Sequence, residues 1–540
     1  MIASVVPYVR TLRGKDTFDY EIPDELEVHP GFLVWIEFRS KTVFGVVVGI
    51  TRTSTFKKIK PILDIVDADL WLPNYRRELL AWFSSYYYVS LPLALKTVQF
   101  QLLKRPRKET IEINAAASRK KSNKVLIQDG SDTLLLGNNR TSLIEAYAGI
   151  HENSIGHTLI VVPEYLDCVE MKPALVGTNH IIIDSDPSPS QLHELYELLQ
   201  QKKDLVVVGT KKLAFLPLHL FTTIILDQEE ARSHKQYDQN PRYHIRDVLL
   251  QTRALMKKNS LQPFTLVRSS QSPSIHTLLD VKNKKCILND IRNQWSGAHI
   301  QTVDMEKEYE NKNYSWFSED LLDMIRNSKN IFLFLNRTGS YSNAICLKCS
   351  ALLNNVQQTC PSCNSKNIRL SGKGTAQLEK EINELFPDRS VLRLDNDRDG
   401  NELTPQQIKN SDIIIGTEKV FRALQMKSLD GIGILSVDHL LIYPHFQSSE
   451  RVFQLLSRLF QYNIPTILQT HSPNNPVIRA AIENAVDRFA DYELATREML
   501  KLPPYEELFT IRNIQTKSVR IVTGPLSADK LDQRDIVDRQ

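Results

Sequence analysis

The chain has 540 residues, 42% apolar and 24% charged. It is too long for a single hydrophobic core and too ordinary in composition for a fibrous or disordered class, so several globular domains are expected. Its 67 Lys and Arg against 63 Asp and Glu leave a net charge of +4, which permits nucleic-acid binding without arguing for it.

Residues 1–103 carry short β-rich patterns, "FLVWIEF" and "KTVFGVVVGI", punctuated by Pro23, Pro30, Gly31 and Gly45 and followed by the aromatic helix-like run "RRELLAWFSSYYYV". They predict a small β-barrel-like or β-plus-α module. Residues 104–124, "KRPRKETIEINAAASRKKSNK", hold two basic clusters around a run of small residues and read as a solvated linker. From Lys124 onward, short unbroken apolar runs ("TLLLG", "TLIVVP", "HIIID", "DLVVVGT", "TTIILD", "FTLVRSS") alternate with helical stretches. Runs of this kind predict strands buried on both faces, hence a parallel α/β sheet. A second series, "NIFLFLN", "SVLRLD", "SDIIIGT", "IGILSVD" and "IPTILQT", predicts a second sheet; Gly209–Thr210 and Gly416–Thr417 follow a strand in each. No apolar run approaches the roughly 18 residues of a membrane helix. The start, "MIASVVPYVRTLRGKD", is too short and too soon charged for a secretory signal, so a cytoplasmic protein without membrane association is expected.

Three stretches bear on chemistry. "TLLLGNNRTSLIEAY", Thr133 to Tyr147, begins as a phosphate loop does, with an apolar strand, Gly137 and a helix-like run. Where G-x-x-x-x-G-K-[ST] requires Gly, Lys and Ser/Thr, this chain has Ser142, Leu143 and Ile144. "TTIILDQEEARSHKQ" looks like the strand that ends in a magnesium-holding Asp and a catalytic Glu; Asp227 is present, but Gln228 follows it. Gln228 cannot take a proton from water, and an acidic surface turn after a buried strand is the competing reading. Cys346, Cys349, Cys360 and Cys363 form two CxxC knuckles able to place four thiolates about one tetrahedral zinc, with no open position for substrate. Cys168 and Cys286 stand alone and are expected to be inert.

The segments "TFDYEIPDELEVHPGFLVWIEF", "IKPILDIVD", "LIVVPE", "DLVVVGTKKLAFLPL", "KQYDQNPRYHIRDVLL", "LNRTGSYSNAICLKC", "CPSCNSKNIRLSGKGTAQLEKEINELFP", "SDIIIGT", "SSERVFQLL" and "MLKLPPY" resemble, in order, the PriA (primosomal protein N′) family of bacterial replication-restart helicases. The likeness runs from about residue 5 to residue 510. It implies an α/β protein: a small OB-like β-rich 3′ DNA-binding domain (1–103), the basic linker (104–124) and two RecA-like helicase lobes (125–295 and 296–510). The second lobe would carry a zinc ribbon at 345–365, and residues 511–540 would be a remnant of the family's carboxy-terminal domain. No room is left for the winged-helix domain the family usually carries after its first module.

The resemblance also shows what has changed. The family's loop reads like LLxGVTGSGKTEVY, and "LLLGNNRTSLIEAY" keeps its length while the lysine falls on Leu143 and the magnesium-side Thr on Ile144. Arg140 and Ser142 replace inner glycines, leaving Gly137 and Arg140 as the loop residues able to meet a nucleotide. The DEEH box becomes "DQEE", with Asp227, Gln228 and Glu229 at its degenerate positions, and the GSATPS-like segment becomes "RSSQSPS". "GTEKVFRALQMKSL" and "SRLFQYN" stand where the family has GTQMxAKGHDFP and its arginine fingers. Little or no ATP–magnesium binding is therefore expected. Of the family's zinc cysteines the inner pairs are missing, while the outer pairs, which share one zinc, correspond to Cys346, Cys349, Cys360 and Cys363. The 3′-end DNA-binding residues carried over are Phe18, Asp19 and Tyr20 of "FDY" and Lys60 of "IKP"; Arg39 replaces a family glycine. On the residues alone, Phe18 and Tyr20 read equally as alternating strand residues packing a core.

The leading expectation is an ATPase-deficient PriA-like protein that binds forked or single-stranded DNA, including its 3′ end, or other replication-restart proteins. The alternatives are a weak helicase using Arg140, Asp227 and Glu229 atypically, and a scaffold that has lost DNA binding as well.

Overall fold

The structure, a computed structural model, describes residues 1–11, 14, 16–54, 58–66, 72–99, 111–114, 125–293, 295, 297–336, 341–346, 352–353, 359–360, 363, 365, 368–394, 405–418, 428–443, 445–527, 530–532 and 535–540. The chain folds as mixed α/β in two compact units, Met1–Arg292 with Thr496–Gln540, and Asn293–Ala495. Among the described residues no helix is long and apolar enough to cross a membrane.

The first unit opens with a closed barrel of β1 (Ile2–Pro7), β2 (Phe18–Glu21), β3 (Leu33–Phe38), β4 (Lys41–Thr51) and β5 (Lys60–Ile65), in the order β1-β2-β5-β3-β4. Closure requires β4 to run close against β1. At Gly45 a Cβ would sit 2.6 Å from Val5 Cγ1 and 2.8 Å from the Val6 carbonyl, so only glycine allows that approach. Ala3, Val5, Tyr20, Val34, Ile36, Val47 and Ile62 fill the barrel. Helices α1 (Asn74–Tyr86) and α2 (Leu91–Val98) follow, and Tyr75, Leu80, Phe83 and Leu95 join barrel residues to the core of the neighbouring sheet.

That sheet comprises β6 (Asp132–Leu136), β7 (His157–Val161), β8 (His180–Ile182), β9 (Val206–Gly209), β10 (Phe221–Leu226), β11 (Thr265–Ser270) and β12 (Ile287–Asp290). Among the described residues its order is β12-β6-β11-β10-β7-β9-β8, all parallel. Strands β7, β9 and β11 are buried along their whole length; in β9 and the Leu159–Val161 end of β7 this goes with unbroken apolar sequence, whereas β11 also buries Arg268, Ser269 and Ser270. The crossovers include α3 (Arg140–Asn153), α4 (Tyr165–Met171), α5 (Pro189–Gln201), α6 (Ile245–Lys258) and α7 (Ile275–Lys282). Their starts are written in the sequence: Asn139, Ser188 and Ser274 accept from backbone N–H groups of the first turns of α3, α5 and α7.

The second unit holds a parallel sheet of β13 (Ile300–Asp304), β14 (Ile331–Phe334), β18 (Val391–Leu394), β19 (Ile413–Gly416), β20 (Gly431–Ile434) and β21 (Thr466–Thr470), ordered β13-β21-β20-β14-β19-β18. Between its second and third strands in sequence lies a small antiparallel sheet of β15 (Tyr341–Cys346), β16 (Leu352–Leu353) and β17 (Ile368–Lys373).

Residues 496–510, placed by the sequence at the end of the second lobe, cluster with the first unit. The reason is the antiparallel sheet of β22 (Leu508–Asn513), β23 (Val519–Thr523) and β24 (Asp535–Arg539) that follows them. Tyr88 donates to the Leu526 carbonyl at 2.6 Å and packs edge-on against Phe509. Lys235 pairs with Asp538 at 2.7 Å, and the Arg539 guanidinium lies 3.7 Å from the Tyr86 ring centroid.

Candidate functional site

Two places gather the residues singled out by the sequence. The first is one end of the barrel. On β2, Tyr20 points inward, 5% exposed, and donates its hydroxyl to the Glu37 carbonyl at 3.1 Å. Burial, with the Glu37 charge adding, pushes its pKa up to about 12, so it stays a neutral donor. A ring held this way cannot stack on a base without leaving the core. Phe18, two residues earlier, is only partly buried and meets Phe38 edge-on, with centroids 4.9 Å apart. Between them, Asp19 accepts from the Ser54 hydroxyl at 2.5 Å. Lys60 is the register partner of Tyr20 and donates to Glu37 Oε1 at 2.7 Å, with both side chains about half exposed. Glu37 thus ties Tyr20 and Lys60 together, while Phe38 carries Phe18 on its edge and has the Arg39 guanidinium 5.4 Å from its centroid.

The second place is the loop after β6. Asn139 caps α3 by accepting from Ser142 N–H at 2.8 Å, and Ser142 Oγ donates back to the Asn139 carbonyl at 2.8 Å. The loop therefore closes on itself. Leu143 is 1% exposed, and its side chain lies so close over Gly137 that a Cβ there would be 2.7 Å from it. Ile144 is buried beside it in the same core cluster.

Arg140 turns inward from the first position of α3. Its guanidinium donates to Glu170 Oε2 at 2.6 Å and Asp227 Oδ2 at 2.7 Å and lies 3.3 Å from Asp167 Oδ1. Burial disfavours its charge, but Asp227, then Asp167 and Glu170, outweigh that and raise its pKa above the ordinary arginine value. Asp227, at the end of β10, is fully buried. Its other oxygen accepts from Tyr147 at 2.7 Å, and Tyr147 also contacts the Ser269 hydroxyl. Burial, reinforced by the Asp227 charge, holds the Tyr147 pKa well above 10, so it remains a donor. His234 donates Nε2–H to the Asp227 carbonyl at 2.8 Å, and burial pulls its pKa down to about 4, which keeps the ring neutral.

Gln228 stands in the left-handed region at φ +48°. Glu229 is wholly buried and accepts from Ser274 N–H at 2.6 Å and Ser274 Oγ at 2.9 Å. It therefore caps α7 instead of facing an open cleft. Asp167, Glu170, Tyr147 and Ser269 act here without having been singled out as partners in the sequence. A buried arginine at a helix start asks for carboxylates, but nothing local indicates that α4 supplies two of them.

At the cysteine knuckles, Cys346 ends β15 and is the register partner of Ile368, which begins β17. That pairing sets the backbone of Cys346 beside the start of β17, the strand that follows the second knuckle. Cys360 is buried and donates its backbone N–H to the Ser365 carbonyl at 2.9 Å. Cys349 lies outside the described residues, among which no group of three or more metal-ligating side chains is found. Cys168 and Cys286 are buried, and burial pushes both thiols up to about 12, so neither is a reactive thiolate.

A family profile described as "3'DNA-binding domain (3'BD)" matches residues 6–99. The chain is 25% identical over 553 residues to Replication restart protein PriA of Rickettsia prowazekii (strain Madrid E), covering 91% of this chain and 84% of that protein. It is likewise 25% identical over 425 residues to the protein of that name from Bacillus subtilis (strain 168), covering 69% and 51%. Among solved structures, a DEAD box protein from the hyperthermophile Methanococcus jannaschii covers 69% of this chain and 87% of its own at 12% identity and a TM-score of 0.32. Helicase MrfA bound to DNA covers 68% and 49% at 9% identity and a TM-score of 0.35.

Proposed function

The chain belongs to the PriA family of replication restart proteins, and from that premise we propose that it binds forked or single-stranded DNA in replication restart without ATP-driven unwinding. The observation that carries this reading is a contrast between its two sites. The barrel end keeps a half-buried carboxylate, a partly buried ring and exposed cations, whereas the loop after β6 is closed by its own side chains.

At the barrel end, Asp19 is the acceptor for a terminal 3′-OH, Phe18 the stacking surface and Lys60 the phosphate contact, while Tyr20 shapes the site from below. In the loop, both oxygens of Asp227 are engaged by Arg140 and Tyr147, so neither is left for magnesium. Leu143 supplies no charge for a phosphate. ATP–magnesium does not fit this set, and we read the two parallel-sheet units as RecA-like lobes kept as a frame, with the barrel as the OB-like DNA reader. Other replication-restart proteins are the protein partners this reading implies.

One charge-assisted hydrogen bond to Asp19 is worth roughly 1.5–3 kcal/mol, a tenfold or larger effect on affinity. The protein should therefore prefer a 3′-OH oligonucleotide over its 3′-phosphate counterpart by at least that factor, and Asp19→Ala should erase the preference. Fluorescence anisotropy at fixed salt measures it. Equal binding of the two ends by the native protein would show that the 3′-end reader has been lost and would favour the scaffold alternative.

The four cysteines fit zinc by donor chemistry; Cys346, Cys349, Cys360 and Cys363 would hold one structural ion that fixes the small sheet. Metal analysis should find one zinc per chain and close to none in Cys360→Ser. Two ions per chain, or none after purification without chelator, contradicts a single site.

A further inference from the structure

We infer that Arg39 is a DNA-contacting residue that takes the phosphodiester next to the terminal nucleotide, an inference that rests on the 3′-end reading of the barrel. Arg39 and Ser40 form the two-residue turn between β3 and β4, closed by the Phe38–Lys41 pair, with φ values of +48° and +61°. Two successive left-handed residues make the kind of hairpin turn that Asn-Gly satisfies at least steric cost. An arginine and a serine both bear that cost, and strain held in place by surrounding structure is a pointer to function.

What the strained turn achieves is placement of a cation. The Arg39 guanidinium lies over Phe38, whose edge meets Phe18, the residue next to Asp19. Among the described residues it has no ion-pair partner, whereas Lys60 is tied to Glu37 at 2.7 Å. Arg39 is thus an uncancelled positive charge at this end of the barrel. A planar guanidinium lying against a ring keeps its donor edge free for a phosphate, and its fork matches two phosphate oxygens in a way an ammonium cannot. Asp19 disfavours a phosphate at the strand terminus itself, so the group within reach of Arg39 is the internucleotide phosphate.

Arg39→Gly provides a clean test, because glycine is at ease at positive φ and the variant should be as stable as the native chain or more so. Binding of single-stranded 3′-OH and 3′-phosphate oligonucleotides by the full chain, measured across a salt series, should show affinity about tenfold weaker. The slope of log K against log salt should be shallower by roughly 0.7, the value for one phosphate contact on a single strand. Preference for the 3′-OH should persist. Arg39→Lys should restore the slope and only part of the affinity. Native affinity and slope in Arg39→Gly, with the 3′-OH preference intact, would overturn the role of Arg39 and leave the 3′-end reading standing. A native protein indifferent to the strand end would overturn that reading and this inference with it.

Discussion

Arg140→Ala should destabilise the first unit by about 3–5 kcal/mol, the usual cost of removing one partner of a buried ion pair. The guanidinium is 13% exposed and sits among Asp167, 4% exposed, Glu170, 24% exposed, and Asp227, wholly buried. Without it, three carboxylates face one another in a largely buried pocket, and of the side-chain donors described above only Tyr147 remains to the Asp227 carboxylate. Replacing both partners of such a pair by neutral groups is far less costly than removing one. Arg140→Met combined with Asp227→Asn should accordingly recover much of the loss. Urea midpoints for the native chain, both single variants and the double variant measure the coupling directly. A single Arg140→Ala variant within about 1 kcal/mol of native would remove the structural role assigned to this residue.

What could be read from the sequence follows the range of the interactions involved. Strands β9, β14 and β19 are legible because burial on both faces imposes an unbroken apolar run, and the starts of α3, α5 and α7 because Asn139, Ser188 and Ser274 cap them locally. The replacement of a loop lysine by Leu143 is equally plain. Its consequence is not, because it depends on α4 delivering Asp167 and Glu170 to a guanidinium nearly thirty residues earlier. Tyr20 and Asp19 are neighbours in "FDY", yet alternation sends one ring into the core and leaves the carboxylate only half-buried. Lys235 and Asp538 are some three hundred residues apart, so no periodicity announces that β24 closes against the first unit. Arg39 is visible as a departure from the family pattern, but its left-handed backbone and its place over Phe38 belong to the folded hairpin alone.

No nucleotide binding should be detectable by titrating a fluorescent ATP analogue with magnesium up to about 1 mM, a ceiling equivalent to less than about 4 kcal/mol of binding. Turnover with or without forked DNA should lie at least 10³-fold below that of a relative with an intact loop. Removing an arginine finger alone costs about 10³–10⁵ in rate and removing one preorganised charge-stabilising donor about 10²–10³; these losses need not add, but none of the lost groups has a substitute here. The geometry also predicts that restoring the lysine will not restore binding. Leu143→Lys would bury an ammonium at a position 1% exposed, beside a guanidinium already holding Asp227, and should lower stability without producing an ATP site. The decisive comparison is Arg140→Lys, which keeps a positive charge near Asp227 but loses the three-way bridge. If the native chain bound the analogue with micromolar affinity and Arg140→Lys abolished it while remaining folded, Arg140 would be a nucleotide ligand rather than an internal plug, and the active-helicase alternative would take over.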